Sequence, residues 1–433
     1  MSKKIIISII TLFMISAIVT AVIFLYPYEP KQPPKADDTG FTQQGIQEVI
    51  NANNQFAFDL YNQLINDPKN KGKNIFYSPY SIFSALALVY EGAEGKTAEE
   101  IKSVFHFPEN SVLRPNFAAI YNEINERNKD YELRTGNALW VQKDYNLLED
   151  YKSRVEKYYG GKATNLDFVN EREKSIQTIN SFIEEQTNDK IKDIIKDLSP
   201  LTRLIITNAI YFKGSWEKEF NKEYTKEQDF KITPENIVKV PMMYRKGGYL
   251  NYFETEKMQI LELPYKGDKI SMLILLPKQY EEYDYERKEK IVYNYTLEDI
   301  EFSLEKLNEY KSQMKKTDID SIYLPKFEFE TEYHMEETMK SLGMITAFSY
   351  NADFSGMRKE KDLFIDFIIH KAYVKVNEEG TEAAAATTVR KMGSSAYPLR
   401  KIFRADHPFI FIIQQKDTGN ILFIGRVIDP TKK

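Results

Sequence analysis

An α+β protein is predicted, because two kinds of hydrophobic pattern occur in different parts of the chain. Phe56, Leu60 and Leu64 recur at helical spacing, and a second amphipathic helix is indicated around Ile179. By contrast, residues 204–212 are almost all apolar, which is typical of a strand covered on both faces. The chain has 433 residues, of which 42% are hydrophobic, so it also has enough apolar material for a large core.

The N-terminal segment, residues 5–28, carries no charge and consists mostly of Ile, Leu, Val, Phe and Ala. At about 1.5 Å per residue, a helix of this length crosses a hydrocarbon core of ~30 Å. Lys3 and Lys4 precede it, and because positive residues stay on the cytoplasmic side, the rest of the chain is expected outside the cell. Residues 1–28 are therefore interpreted as a single-pass membrane anchor. The alternative is a signal peptide cleaved at Val19-Thr-Ala21, which would give a secreted protein.

A tether follows the anchor. Residues 29–40 contain Pro30, Pro33 and Pro34 among charged residues, which indicates an extended linker. The first helix is then expected to end at Asn66-Asp-Pro68.

Two further helices are predicted in the first half of the chain. Residues 74–81 are interpreted as a strand that turns into a helix running to Tyr90. Thr97-Ala-Glu-Glu100 matches a capping box, which predicts that a short helix starts there. Residues 133–148 are expected to form a strand.

The second half contains one polar insertion between predicted strands. Residues 270–276 form a short apolar run ended by Pro277, which is typical of a buried strand. Residues 278–307 are charged and rich in tyrosine, and we interpret them as a surface insertion that contains the only glycosylation sequon, at Asn294. Three further strands are predicted at residues 363–376, 409–413 and 421–428.

The segment after residue 376 has an unusual composition. Residues 381–389 include no proline, no glycine and no side chain larger than valine except Glu382. In a strand, one face would carry Thr381, Ala383 and Ala385, and the other would carry Glu382, Ala384 and Ala386. The first face can be buried, whereas the second carries the charge. On composition alone, an alanine-rich helix or linker is the alternative.

The residues around this segment resemble motifs of the serpin family. Glu378-Glu-Gly-Thr-Glu-Ala-Ala-Ala385 is similar to the serpin hinge, and Phe403-Arg-Ala-Asp-His-Pro-Phe409 is similar to the strand that follows a serpin reactive loop. Further stretches are similar to serpin signatures, at residues 74–107, 207–216, 240–243, 324–327 and 352–356.

The resemblance implies the serpin fold, which has a large, mainly antiparallel central sheet, further sheets, about eight to nine helices and an exposed reactive-centre loop. That loop would span residues 378–403. The resemblance also implies one domain at 41–433, although the chain length alone suggests two or three domains. The abundance of Ile, Lys and Asn, together with the anchor, favours a prokaryotic source.

The function implied by the resemblance is inhibition of extracellular serine proteases by a metastable suicide substrate. The protease cleaves the loop and is trapped as an acyl-enzyme while the loop inserts into the central sheet. Counting from the hinge places the reactive bond between Ser394 and Ser395, with Met392 as the next candidate. Small residues at this bond favour an elastase-like or subtilisin-like target, and a cysteine protease is a further possibility. The alternative function is that of a non-inhibitory serpin, a binding or chaperone-like module.

Matching to serpin motifs assigns three further groups of residues. The hinge comprises Glu378, Glu379, Gly380, Thr381, Glu382, Ala383, Ala384, Ala385 and Ala386. A hydrogen-bonded group behind the central sheet, here called the shutter cluster, comprises Ser78, Ser81, Asn208 and His370. A group at the end of the sheet where the loop begins, here called the breach cluster, comprises Trp216, Lys326 and Glu378. An ion pair between Lys326 and Glu378 is expected, and in a partly exposed setting it would contribute at most ~1 kcal/mol.

Composition disfavours other functional classes. The chain has no cysteine, which removes disulfides, thiol nucleophiles and cysteine-based metal sites. Its four histidines lack metal-ligand spacing, and it has no Gly-x-Ser-x-Gly elbow, Walker loop or His-Glu-x-x-His motif. The net charge of −5, with both signs interspersed, gives no support for nucleic-acid binding. We therefore expect a monomer with no enzyme activity, cofactor or metal, whose partners are the target protease and the membrane.

Overall fold

The computed structural model describes residues 35–126, 130–284, 289–381 and 401–432. The described residues from Ala36 onward belong to one compact unit. The predicted anchor and the first half of the tether, residues 29–34, lie outside the described residues. Within the described ranges, no helix combines the length and the apolar character needed to cross a bilayer.

Eight α-helices are present in the described part of the chain. They are α1 (Gln43–Asn66), α2 (Pro79–Tyr90), α3 (Gly95–Phe105), α4 (Asn110–Ile124), α5 (Glu149–Tyr159), α6 (Arg172–Gln186), α7 (Leu304–Gln313) and α8 (Glu336–Leu342). Helix α1 ends where the sequence predicted, since Asp67 caps it and Pro68 follows. Helix α2 follows strand-forming residues and runs to Tyr90, as predicted.

The capping box predicted at Thr97 is wrong. Helix α3 begins at Gly95, and Thr97 already lies within its first turn. The Thr97 hydroxyl accepts the backbone N–H of Asp353 at 2.9 Å, and the Glu100 carboxylate accepts the backbone N–H of Thr346 at 2.6 Å. Both side chains therefore bind a distant segment, and that use competes with capping of their own helix.

Seventeen strands are present in the same described residues. They are β1 (Ile75–Tyr77), β2 (Tyr131–Gln142), β3 (Lys162–Leu166), β4 (Leu204–Ser215), β5 (Lys226–Thr233), β6 (Asn236–Glu254), β7 (Met258–Pro264), β8 (Ile270–Pro277), β9 (Glu281–Asp284), β10 (Glu289–Val292), β11 (Lys315–Pro325), β12 (Phe327–His334), β13 (Phe367–Val376), β14 (Gly380–Thr381), β15 (Ile402–Arg404), β16 (Phe409–Gln415) and β17 (Ile421–Val427).

Two strand boundaries differ from the prediction. Strand β2 ends at Gln142 instead of residue 148, because the Gln142 carbonyl accepts the N–H of Tyr145 and closes a turn. Strand β13 begins at Phe367 instead of residue 363. The N–H of Ile365 donates to Ala347 in a neighbouring turn and is therefore not paired within the sheet.

The central sheet has six strands in the order β12-β13-β4-β2-β3, and β14 pairs with β4. Its pairs alternate in direction: β12–β13 and β4–β2 are antiparallel, whereas β13–β4 and β2–β3 are parallel. A second sheet has nine strands in the order β1-β17-β16-β8-β7-β6-β11-β15, with β5 on β6, and is largely antiparallel. A separate hairpin, β9–β10, lies within the predicted insertion.

Both faces of the central sheet are covered at β2 and β4. Helix α2 packs behind β2 and β4, and α6 packs in front of the same two strands. The buried residues of the front layer form their own cluster, which includes Trp140, Ile179 and Ile205. This two-sided cover explains why β4 is almost continuously apolar, and the predicted α+β class is confirmed.

Candidate functional site

The central sheet contains one junction, β13–β4, where two neighbouring parallel strands separate towards one end. Their backbone pairing runs from Phe367–Ile205 to Ala372–Ile210 and then stops, although the strands continue to Val376 and Ser215. We call this junction the seam. A strand running antiparallel to β4 would also be antiparallel to β13, so it could form an antiparallel ladder on each side.

The hinge begins with a tight turn at the open end of the seam. Asn377 and Gly380 exchange backbone hydrogen bonds of 2.9 and 3.2 Å, and the Asn377 side-chain oxygen accepts the N–H of Glu379 at 3.1 Å. The turn reverses the chain, and β14 then pairs antiparallel with β4, Gly380 opposite Ser215. The first hinge residues therefore already lie along the edge of the seam.

Gly380 is required by this turn. Its φ is +136°, in a region that residues with a side chain rarely adopt. A Cβ at this position would lie 2.2 Å from the carbonyl oxygen of Gly214 and 2.6 Å from Cα of Ser215. A side chain here would consequently push the hinge away from β4.

The breach cluster holds the hinge at the end of the sheet. The Lys326 ammonium lies 3.0 Å from Oε2 of Glu378, so the expected ion pair is present. The Thr225 hydroxyl donates to Oε1 of Glu378 at 2.7 Å. Desolvation acts to raise the pKa of Glu378, but the hydrogen bonds from Thr225 and Lys326 outweigh it and the pKa is lowered. The Glu378 side chain is only 5% exposed, so its charge depends on these two partners.

Trp216 contacts the hinge through both its backbone and its side chain. Its backbone N–H donates to the Glu379 carbonyl at 2.9 Å, and its indole N–H donates to the Asn377 carbonyl at 3.1 Å. The indole stacks on Tyr265 at a centroid distance of 4.6 Å, which fixes its orientation. The hinge turn is therefore bound to a buried aromatic side chain whose orientation is fixed.

The shutter cluster is organised by strand register. The pairing sets Asn137 of β2 opposite Asn208 of β4, and Asn208 opposite His370 of β13. Residues paired across neighbouring strands point to the same face, so three polar side chains form a row across the seam. Asn208 and His370 are fully buried, as are Ser78 and Ser81 of α2 behind them.

Helix α2 closes the cluster from behind. Ser78 is its N-cap, and the Ser78 hydroxyl accepts the N–H of Ser81 at 3.1 Å and donates to the Leu422 carbonyl at 2.7 Å. The Asn208 amide donates to the Ser81 hydroxyl at 2.6 Å and to Oδ1 of Asn137 at 2.5 Å. The cluster thus ties the helix to both strands next to the seam.

His370 completes the network in its neutral form. Its Nε2 accepts the backbone N–H of Ser78 at 3.1 Å, so the ring proton is on Nδ1, which donates to Oδ1 of Asn208 across the seam. Burial lowers the pKa of His370 to about 3. The ring therefore carries no charge at neutral pH.

The residues beyond the loop are anchored in the second sheet. Strand β15 pairs parallel with β11, and the Arg404 guanidinium stacks 3.6 Å from the centre of the Tyr323 ring. Lys401 forms an ion pair with Glu254 of β6. The two ends of the reactive segment are therefore held in different sheets.

The structure brings the predicted breach and shutter residues together as two compact groups, but it leaves the reactive bond undescribed. Ser394, Ser395, Met392 and hinge residues 382–386 lie outside the described residues. Among the remaining predicted hinge residues, Glu379 forms an ion pair with Lys222. Within the described ranges, no group of three or more His, Asp or Glu side chains is arranged to hold a metal ion.

Sequence reasoning missed three residues of the site. Asn137 belongs to the shutter cluster, and Thr225 and Lys222 bind the two hinge glutamates. Asn137 had one usable signal, since it is the single amide in the N-terminal half, residues 133–140, of a predicted strand. Thr225 and Lys222 lie in a polar stretch whose pattern gives no such signal.

Comparison with known proteins agrees with this geometry. The family described as "Serpin (serine protease inhibitor)" matches residues 51–430. An uncharacterized serpin-like protein of Methanosarcina acetivorans is 44% identical over 391 residues, which cover 88% of each chain. Leukocyte elastase inhibitor A of Rattus norvegicus is 37% identical over 390 residues, covering 89% of this chain and 100% of the relative.

A solved structure is similar over the same share of this chain. Human thyroxine-binding globulin matches with a TM-score of 0.78 and 30% identity, covering 89% of this chain and 100% of the globulin. The seam, the hinge turn and the two clusters thus occur in a chain whose sequence and fold both match one family over most of their length. This protein belongs to the serpin family.

Proposed function

We propose that the protein inhibits extracellular serine proteases as a suicide substrate, by inserting its cleaved loop into the seam. The observation that carries this proposal is the pairing of Gly380 and Thr381 with β4 at the open end of the seam. The hinge already has the direction that an inserted strand requires. Insertion therefore extends existing backbone pairing between β14 and β4 and does not have to start a new pair of strands.

In the covalent step, the target protease attacks the reactive bond as it would attack a substrate. The catalytic serine of the protease attacks the carbonyl carbon of Ser394 and forms an ester, while the peptide bond to Ser395 breaks and Ser395 leaves with a new amino group. Cleavage releases the hinge side of the loop from β15, which remains fixed by Arg404 and Lys401. The freed segment carries the acylated protease with it.

Insertion then competes with hydrolysis of the ester. Small side chains at positions 383–386 allow the segment to pass between the strands without displacing the packed core. Roughly ten new backbone hydrogen bonds at ~1 kcal/mol each would release ~10 kcal/mol, which is as large as the whole stability of a typical domain. Insertion must separate Asn208 from His370, so the shutter cluster opposes it in the uncleaved protein.

The chemistry of the bond suggests the class of target. Small residues flank the proposed cleavage point, Ser394–Ser395, and such residues suit the shallow specificity pocket of an elastase-like or subtilisin-like protease. The similarity to leukocyte elastase inhibitor A, a relative named for its target, supports the same class.

We further propose that residues 1–28 anchor the protein in a membrane with the serpin domain outside. The support is the uncharged run 5–28 preceded by Lys3 and Lys4. Extraction of cell membranes with carbonate tests this: an anchored protein stays in the pellet, whereas release into the medium with a new N-terminus after Ala21 would favour the cleaved signal peptide.

A non-inhibitory role is the second candidate, because thyroxine-binding globulin, a protein of the same fold, is named for binding thyroxine. Incubation of residues 35–433 with subtilisin-like, elastase-like and trypsin-like proteases separates the two. Inhibition gives a complex that resists SDS, and mass spectrometry finds a released peptide starting at Ser395. Clean cleavage without a complex, and without a gain in thermal stability, would refute inhibition and leave the binding role.

A further inference from the structure

A cleft of about 820 Å³ lies beside the breach cluster, between the segment that follows β4 and the β6–β11 pair. Its lining includes Lys218, Arg245, Tyr249, Lys266 and Lys316. A volume of this size is in the range of small-molecule sites. The proposed inhibitory mechanism gives this cleft no role.

Arg245 is the unusual residue of the cleft. Only 6% of it is exposed, and its Nε has no hydrogen-bond partner in the described part of the chain. One terminal nitrogen donates to the Lys246 carbonyl at 3.3 Å, and the guanidinium lies 5.3 Å from the centre of the Phe220 ring. Neither contact neutralises the charge, and burying an unpaired charge is unfavourable.

The charge of Arg245 is retained at neutral pH. Burial lowers its pKa to about 10, which still leaves the guanidinium protonated. A buried, positive and incompletely hydrogen-bonded fork is suited to an oxyanion, because its N–H groups can donate to two oxygens at once.

Lys218 adds a second cation at the same end of the cleft. Its ammonium donates to the Gly247 carbonyl at 2.9 Å, and no ion pair forms between Lys218 and any carboxylate of the described ranges. Desolvation first, and then repulsion by Arg245 and Lys246, lower the pKa of Lys218. Two positive charges are therefore held close together here, and no carboxylate of the described ranges forms an ion pair with either Lys218 or Arg245.

Three carboxylates also line the cleft, at Asp130, Glu217 and Asp268. Asp268 forms an ion pair with Lys416, so its charge is already compensated. By count of charges in the lining, Lys266 and Lys316 balance the other two. The excess positive charge is consequently that of Arg245 and Lys218.

We propose that this cleft binds a small phosphorylated molecule, with Arg245 and Lys218 contacting the phosphate and the remaining volume accepting the rest of the ligand. A phosphate provides the oxygens and the double negative charge that two adjacent cations require. The fork of Arg245 fixes the orientation of the phosphate, and Lys218 acts as a point charge at the mouth.

Calorimetric titration of the full-length protein with inorganic phosphate tests the site, at an ionic strength held constant with chloride. One saturable site is expected. Lys218→Gln should weaken binding about tenfold or more, because it removes one charge-assisted contact. Arg245→Gln should abolish it. Lys315→Gln is the matched control: it makes the same change on the neighbouring residue of Lys316, on the opposite face of β11, and should bind like the parent.

Three outcomes would overturn the proposal: no saturable binding, equal affinities for the Lys218→Gln and Lys315→Gln variants, or binding only to phosphatidic acid vesicles. The last would point to a lipid headgroup instead of a soluble ligand. Thermal melting will show whether Arg245→Gln unfolds the protein. If it does, the proposal is tested by the Lys218→Gln variant alone, because the Lys218 side chain is exposed and its replacement should not disturb the fold.

Discussion

The backbone N–H of Ser78 donates to Nε2 of His370 at 3.1 Å, and this one hydrogen bond makes the shutter cluster sensitive to protonation. A protonated imidazole has hydrogen atoms on both nitrogens and cannot accept the Ser78 N–H. Protonation of His370 would therefore break a fully buried hydrogen bond and place an unpaired charge behind the seam. The hydrogen bond between Ser78 and β13 therefore exists only while His370 is neutral.

The stability of the native protein should fall in acid because of His370. Its pKa is about 3 in the folded protein and ~6.5 in an unfolded chain, so its contribution is complete above pH ~6.5 and is lost as the pH falls towards 3. Within this window the free energy of unfolding should decrease by about 1.4 kcal/mol per pH unit. Urea unfolding between about pH 6.5 and pH 5 measures this slope before most carboxylates titrate.

The variant His370→Gln provides the control for this slope. It lacks a group that titrates in the window, so it should be less stable at neutral pH but show a shallower dependence on pH. If the variant and the parent have the same slope, His370 is not the group responsible.

A double-mutant cycle on Lys326 and Glu378 should give a favourable coupling of about 1 kcal/mol. The magnitude is that of a partly exposed pair, since the Lys326 side chain is 39% exposed while Glu378 is buried. The variants are Lys326→Gln, Glu378→Gln and the double variant, compared by urea unfolding. The Lys222–Glu379 pair is the reference within the same hinge, and its coupling should be smaller because the Lys222 side chain is 66% exposed. Equal couplings for the two pairs would contradict this ranking.

The sequence predicted those features whose residues lie close together in the chain. The end of α1 follows from Asp67 and Pro68, and the buried character of β4 follows from its own apolar run. The hinge was predicted because it is one run of consecutive residues similar to a serpin motif. The Lys326–Glu378 pair was predicted because each of its two residues lies in a short motif of this kind.

The rest depends on strand register, which local patterns do not specify. Asn137 enters the shutter cluster only because the β2–β4 pairing sets it opposite Asn208. A shift by one residue would turn its side chain to the other face of the sheet. Thr97 shows the opposite error: its spacing fits a local cap, but a tertiary partner, Asp353, uses the hydroxyl.

Replacing Gly380 by alanine should detach the start of the hinge from β4. The added Cβ would lie 2.2 Å from the Gly214 oxygen, so the pairing of β14 cannot be kept. Hydrogen exchange should become faster at the backbone N–H of Thr381 and at the backbone N–H of Trp216, which donates to Glu379.

Gly343→Ala is the matched control. Gly343 also has a positive φ, of +119°, but a Cβ there would meet only Val104 at 3.8 Å, so exchange at the hinge should not change. Unchanged exchange in Gly380→Ala would mean that β14 does not form in solution.

Replacing Thr381 by arginine should convert the proposed inhibitor into a substrate. Thr381 follows Gly380 in β14, which pairs with β4, and in the proposed insertion it is the first residue whose side chain enters the seam. Its face of the period-2 pattern is the uncharged one, so an arginine there would have to be buried without a partner, and insertion would slow. Hydrolysis of the ester would then finish before the protease is trapped. The fraction of protease held in an SDS-resistant complex should fall about tenfold or more, while cleavage of the loop continues.

The matched variant Glu382→Arg changes the neighbouring residue on the opposite face, which already carries a charge in the native sequence. It should still trap protease, because an arginine on this face remains in contact with water during insertion. Comparison of the two variants on SDS gels, at equal protease concentrations, separates a block of insertion from a general loss of loop recognition. If Glu382→Arg loses the complex as completely as Thr381→Arg, or if Thr381→Arg retains it, then the face containing Thr381 is not the one that enters the seam.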